Sequence, residues 1–193
     1  MSIQLNLASQ LEPVPPDHRD PDFYIDSNRC TLHDAVQQLE IDSQPDTPFI
    51  IWLLEHPNSP IALPGKIDLY GHDCLHAILN RGHSPPDEAF ILGFTMGNDL
   101  QTTWLHKFLY KFAASTVYPK KYRFSWKDFQ FFDAGFVYGR SIRRRNLNQL
   151  DFITYQNHTV SQVRQQLAIS KAAEIELLQS FSIPRQNFSD QWS

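Results

Sequence analysis

Apolar residues recur at three- and four-residue intervals through most of the chain, and proline, glycine, serine and threonine cut that pattern into pieces of helical length. From Thr31 to Ile41, Leu32, Val36 and Leu39 share one helical face, and Thr31 can accept hydrogen bonds from the free N–H groups ahead of them. Thr47-Pro48 opens a second helical run through Leu54, broken by His56-Pro57 and the polar and proline residues after it. A third spans Lys66 to Asn80 after Pro64-Gly65, with Ile67, Tyr70, Cys74, Ala77 and Ile78 in helical register and Gly82 as a stop. Ser84-Pro85-Pro86-Asp87 is a helix-start pattern leading into Glu88–Met96. Asp99 can cap a further helix running to about Thr116, on which Leu100, Trp104, Leu105, Phe108, Leu109 and Phe112 form an apolar stripe.

Beyond it, Tyr118–Phe132 is aromatic-rich and interrupted by Pro119, with weak strand or loop signals, and a helical pattern resumes at Asp133 or Ala134 toward Leu150. Thr159-Val160-Ser161-Gln162 has the residues of a reciprocal cap, and Ser170 can start a last helix carrying Ile175, Leu178 and Phe181. No strand series and no internal repeat interrupts this reading. It predicts an all-α, single-domain bundle of about seven helices, with an antiparallel hairpin at its centre where the short connection Gly82–Ser84 joins two helices. Pro13, Pro15, Pro16 and Pro21 make residues 1–30 an N-terminal arm or loosely docked extension; 31–181 is the helical domain and 182–193 a tail.

Composition narrows the function. At 193 residues with 41% hydrophobic content the chain can fill one core. A net charge of −4 provides no global field for nucleic acid. Two widely separated cysteines, Cys30 and Cys74, suit a reducing cytosol, and the N-terminus lacks the basic start and apolar run of a secretory signal. The apolar run Phe49–Leu54 is far shorter than the roughly 20 residues of a membrane span. Phosphate-binding glycine loops and nucleophile elbows are absent, which removes support for nucleotide-dependent and acyl-transfer chemistry.

The chemistry concentrates in the hairpin. His72 and His76, four residues apart, project from one face of a helix, and Asp73 can reach the same side. The turn brings Glu88 about as far past itself as His76 stands before it. Two imidazoles and two carboxylates suit Zn²⁺ first, and Fe²⁺ or Mn²⁺ where water or substrate completes the shell; Mg²⁺ prefers oxygen and fits less well. The plain alternative is a pair of helix-surface histidines with Glu88 favourably placed at a helix N-terminus. His83 is a possible extra ligand but sits in the turn, where a solvated loop histidine is the preferred reading. Asp73 lies about 100° around the helix from His72, which suits it to holding a ligand, water or substrate, and Asp73 and Glu88 are the carboxylates placed for catalysis.

His72-Asp73-x-x-His76, followed after eleven residues by Glu88, resembles the signature of the coenzyme Q (ubiquinone) biosynthesis proteins of the fourth Coq type. Gly139, Leu150 and Val163–Ile169 are similar to that family's C-terminal pattern, so the resemblance covers roughly residues 48–170. Tyr155-Gln156 departs from it where an aromatic-acidic pair belongs. The resemblance implies an all-helical fold, a metal at the positions of His72, Asp73, His76 and Glu88, and a long apolar pocket for a polyprenyl chain. It also implies oxidative decarboxylation at C1 of a prenylated hydroxybenzoate or, alternatively, a non-catalytic, isoprenoid-binding scaffold that organises quinone-pathway enzymes.

Outside the hairpin, the stripe through Trp104, Leu105, Phe108, Leu109 and Phe112 has core burial as its usual fate, with an isoprenoid tunnel or a bilayer surface as the alternative, Lys107 and Lys111 then lying at the headgroups. Arg140, Arg143, Arg144 and Arg145, with Lys120, Lys121 and Arg123 nearby in sequence, suit either a solvated face or a diphosphate or anionic lipid. Trp104, Phe108, Phe112, Arg143 and Arg144 are the lipid-binding candidates. Phe124, Trp126, Phe129, Phe131 and Phe132 read as aromatic core or the wall of an apolar pocket. The expected setting is cytoplasmic with a peripheral membrane option, and homodimerisation is left open.

Overall fold

The computed structural model describes residues 25–40, 63–118, 120, 123–125 and 128–182. Among them are seven α-helices and no β-strand, as the periodicity predicts: α1 (Leu32–Glu40), α2 (Leu69–Leu79), α3 (Pro85–Asn98), α4 (Trp104–Phe112), α5 (Asp128–Ser141), α6 (Val160–Leu167) and α7 (Lys171–Ser182). The helical run expected at Thr47–Leu54 and most of the arm and tail lie outside the described residues.

Caps decide where several helices begin. Thr31 Oγ1 accepts from Asp34 N at 3.2 Å ahead of α1, and Thr159 and Gln162 form the expected reciprocal cap on α6. α2 starts three residues later than the pattern suggests. Gly65 stands at φ 91° against α3, where a Cβ would lie 2.7 Å from the Met96 backbone, so 64–67 turn and Asp68 becomes the cap, accepting from Gly71 N at 2.8 Å. The helix ends on left-handed Asn80 rather than at Gly82.

Asp99 does not cap α4. It closes α3, and its carboxylate accepts from Gly65 N at 2.7 Å, Gln101 N at 2.8 Å and Asn148 Nδ2 at 3.2 Å, leaving Thr103 to start α4. α4 continues through a π-helical turn, Ala113–Val117, close to the expected end.

α5 begins at Asp128 and stops at Ser141, not at 133–134 and Leu150. Ser125 and Asp128 cap each other reciprocally at its start. Past its end the buried Asn98 side chain donates to Gly139 O and Arg144 O and accepts from Leu147 N, which holds the chain in turns instead of helix.

The closest packing is between α3 and α5. A Cβ built on Gly93 would stand 2.1 Å from Phe132 O and one on Gly97 2.1 Å from Phe136 O; reciprocally, Gly135 faces Phe90 O at 2.1 Å and Gly139 faces Phe94 O at 2.2 Å. Two small-x-x-x-small motifs thus let parallel helices touch backbone to backbone, with Cα–H groups against carbonyls.

One apolar cluster, built on Leu32, Val36, Leu75, Ile78, Phe90, Phe94, Val163 and Leu167, lies beneath α2, and a second, with Tyr110, Phe129 and Phe132, lies between α4 and α5. Phe129 and Phe132 are therefore core, as the aromatic density suggests, while Trp126 lies outside the described residues. Residues 25–30, assigned to the arm, dock on the domain: Ile25 is buried with its N–H on Asn80 Oδ1, and Val160 N donates to Cys30 O.

Candidate metal centre

α2 presents His72 and His76 one turn apart, their rings 4.6 Å between centroids. α3 presents Glu88 from just inside its N-terminus, which Ser84 fixes as N-cap. The Glu88 carboxylate spans both imidazoles, with Oε2 at 3.5 Å from His72 Nε2 and Oε1 at 3.5 Å from His76 Nε2. One donor atom from each residue lies within 4.8 Å of the other two, so His72, His76 and Glu88 form a group able to hold a metal ion.

The local hydrogen bonds decide what this group lacks. His76 is fully buried, and its Nδ1 donates to Arg81 O at 3.3 Å. With Nδ1 so engaged, Nε2 is the ring nitrogen directed at Glu88, and it is a buried atom without a hydrogen bond. A buried carboxylate facing this nitrogen is balanced by a proton on the ring or by a cation between the two, and the donor set fits a divalent ion. Burial by itself raises the Glu88 carboxyl, but the surrounding imidazoles of His76, His83 and His72 outweigh it and hold the group well below the usual carboxylate range.

Asp73 stands apart from the three. Its Oδ1 is 3.7 Å from His72 Nδ1, whereas Glu88 approaches the other ring nitrogen, Nε2. The angular offset between neighbouring helix positions accounts for its absence from the group of mutually close donors. His83 corrects the expectation of a solvated loop histidine. It is half-buried with Nδ1 3.1 Å from Glu88 Oε1 and its ring 4.8 Å from that of His76. The hydrogen bond to Glu88 raises its pKa.

The sequence reading missed Arg81. This side chain is 1% exposed and donates to Asp87 Oδ1 at 3.1 Å and to Glu174 Oε1 at 2.7 Å, with the guanidinium stacked 3.8 Å over Phe90. Ser84 Oγ in turn donates to Asp87 Oδ2 at 2.7 Å. The turn between the two helices is thereby tied to α7, and the carbonyl that orients His76 belongs to the residue so anchored. Nothing in local sequence pairs positions 93 apart. Glu174→Gln is expected to lower stability by about 2 kcal/mol, read by urea denaturation, because the buried guanidinium loses its closest counter-charge.

The outer candidates divide. On α4, Trp104 is 80% exposed and Leu105, Phe108, Leu109 and Phe112 are exposed with it, so the stripe is not core. Tyr110, Ala113 and Ala114 fill the inner face instead. Lys107 and Lys111 turn inward to Asp133, each at 2.7 Å, rather than outward. Arg140 donates to Thr102 O and Arg145 to Gly139 O, whereas Arg143 and Arg144 are exposed. A polar, open hollow of about 450 Å³, lined in part by Lys66, Asp68, Asp99 and Asn148, lies at the start of α2; it is unlike the long apolar pocket implied by the resemblance. Cys74 is buried with its thiol pushed up to about 12 by that burial, which disqualifies it as a nucleophile. No described helix is long and apolar enough to cross a membrane. Compared with known proteins, the chain matches no family model, no curated protein and no solved structure.

Proposed function

We propose that the chain is a divalent-metal protein of prenylquinone synthesis acting on a prenylated hydroxybenzoate by oxidative decarboxylation at C1. The observation that carries the metal part is the buried, unpartnered His76 Nε2 opposite Glu88; the substrate class rests on the resemblance of His72-Asp73-x-x-His76 and Glu88 to the fourth Coq type. Zinc is the first choice from the nitrogen and carboxylate donors, with Fe²⁺ or Mn²⁺ the ions suited to oxygen chemistry. A bound ion would supply a Lewis-acid centre for the aromatic carboxylate; replacing that group by hydroxyl releases CO₂ and takes one oxygen atom from O₂, the other leaving as water with two electrons and two protons from an added reductant. His72, His76 and Glu88 would hold it, Asp73 would keep His72 in orientation, and the buried side of the hairpin would exclude water. Purified protein carrying stoichiometric metal is expected to convert a prenylated hydroxybenzoate aerobically in the presence of its pathway partners, followed by mass spectrometry; no conversion with any of the three metals overturns the enzymatic reading.

The exposed face of α4 favours a second reading, a prenyl-lipid-binding scaffold working at an anionic membrane surface. Two hydrogen bonds support this reading. Arg140 on Thr102 and the Leu100 N–H on Asn146 Oδ1 at 3.0 Å tie the arginine segment to the start of α4. Exposed Arg143 and Arg144 lie on the segment so tied, and exposed Trp104, Phe108 and Phe112 lie on the helix that starts there; together they suit acyl chains beneath acidic headgroups. Sedimentation with vesicles containing phosphatidylserine is expected to weaken several-fold in Arg143→Gln/Arg144→Gln and to fall as salt rises. Binding that ignores salt and both arginines would assign the contact to the aromatic stripe alone, and loss of pathway output in Glu88→Gln with assembly intact would count against a purely scaffolding role.

A further inference from the structure

We propose that His83 is itself a protein ligand of the metal, completing a set of three imidazoles and one carboxylate, and that its hydrogen bond to Glu88 is exchanged for coordination when the ion enters. This assignment rests on the metal reading above.

The geometry around Glu88 points to it. Donors about 2.0–2.1 Å from a tetrahedral ion stand roughly 3.3 Å from one another. Three imidazole nitrogens surround the Glu88 oxygens at such separations: His72 Nε2 at 3.5 Å, His76 Nε2 at 3.5 Å and His83 Nδ1 at 3.1 Å. His76 and His83 approach the same oxygen, Oε1; only His72, His76 and Glu88 have donor atoms within 4.8 Å of one another, so the His83 ring turns inward as the ion enters.

His83 is also held in place from both sides. Arg81, two residues before it, is locked by Asp87 and Glu174, and Ser84, the next residue, is the N-cap of α3. A histidine between two fixed points of a short turn has little entropy to lose on coordinating, unlike one on a free loop. Asp73 approaches His72 at Nδ1, whereas Glu88 approaches the same ring at Nε2.

The set has a chemical consequence. Three nitrogens and one oxygen disfavour Mg²⁺ and favour Zn²⁺ or Fe²⁺. Four protein donors fill a tetrahedral zinc shell, whereas an ion of higher coordination number keeps positions for substrate.

The test uses the full chain loaded with Zn²⁺ or Co²⁺, in wild type, His83→Ala and His83→Gln. X-ray absorption is expected to count three imidazoles in wild type and two in both variants. Chelator competition is expected to show Zn²⁺ affinity falling about 10–100-fold, with Mg²⁺ competing relatively better in the variants. A wild-type count of two imidazoles, or an unchanged count in the variants, overturns the assignment even if affinity drops, since loss of the Glu88 hydrogen bond alone would weaken binding without altering the count. Wild-type protein that takes up no stoichiometric metal overturns the parent reading as well. Equal thermal midpoints of the metal-free proteins establish that the variants are folded; if His83→Ala is not, His83→Gln carries the comparison.

Discussion

Gly135→Ala is expected to lower stability by about 3 kcal/mol, and Gly135→Leu to leave no folded protein. A methyl group at this position would begin 2.1 Å from Phe90 O, and the obstacle is backbone inside a helix rather than the end of a flexible side chain. Overpacking of a well-packed core commonly costs about 1–3 kcal/mol, and the upper end applies where neither partner can rotate away. Gly97→Ala, which meets Phe136 O at 2.1 Å, is expected to behave alike. Urea midpoints of both variants test this against Val137→Ala on the exposed face of α5, where little change is expected. A loss below about 0.5 kcal/mol in the glycine variants, within the range of ordinary surface changes, would show that the helices separate without cost.

The second large effect concerns His76. His76→Ala is expected to reduce metal affinity by more than about 100-fold, since it removes a fully buried donor that no neighbour can replace. Asp73→Asn is expected to retain most of the metal while losing most activity, because the Asp73 carboxylate contacts His72 Nδ1 and not the ion-facing side. Metal stoichiometry and turnover measured in the same two preparations settle it. Equal metal loss would make Asp73 a direct ligand, and full activity in Asp73→Asn would remove it from the mechanism.

Helical periodicity and caps made the hairpin legible in advance: His72 and His76 one turn apart, the short turn, and Ser84 starting α3 all lie within local sequence. His83 was misread because turn position suggests solvent, whereas its burial comes from Glu88 and from the anchoring of Arg81. The α4 stripe shows the opposite failure. A 3.6-residue pattern identifies an apolar face but not what covers it, and here Tyr110, Ala113 and Ala114 supply the inward contacts. The Gly93/Gly97 and Gly135/Gly139 pairs carried a readable spacing whose meaning depended on the two helices meeting. The α5 end could not be read locally because Asn98, more than forty residues away in sequence, holds the chain beyond it.

The buried contact between Arg81 and Glu174 also orders events during synthesis. The donors His72, His76, His83 and Glu88 all leave the ribosome long before Glu174, which is 93 residues after Arg81. Until then the guanidinium beside the hairpin has Asp87 as its carboxylate partner but lacks the closer one from α7. A nascent or truncated chain ending within α6 therefore carries every proposed ligand without the brace that fixes the carbonyl behind His76. If the proposed site holds an ion, capture by such a fragment is expected to be weaker than by a chain that includes α7.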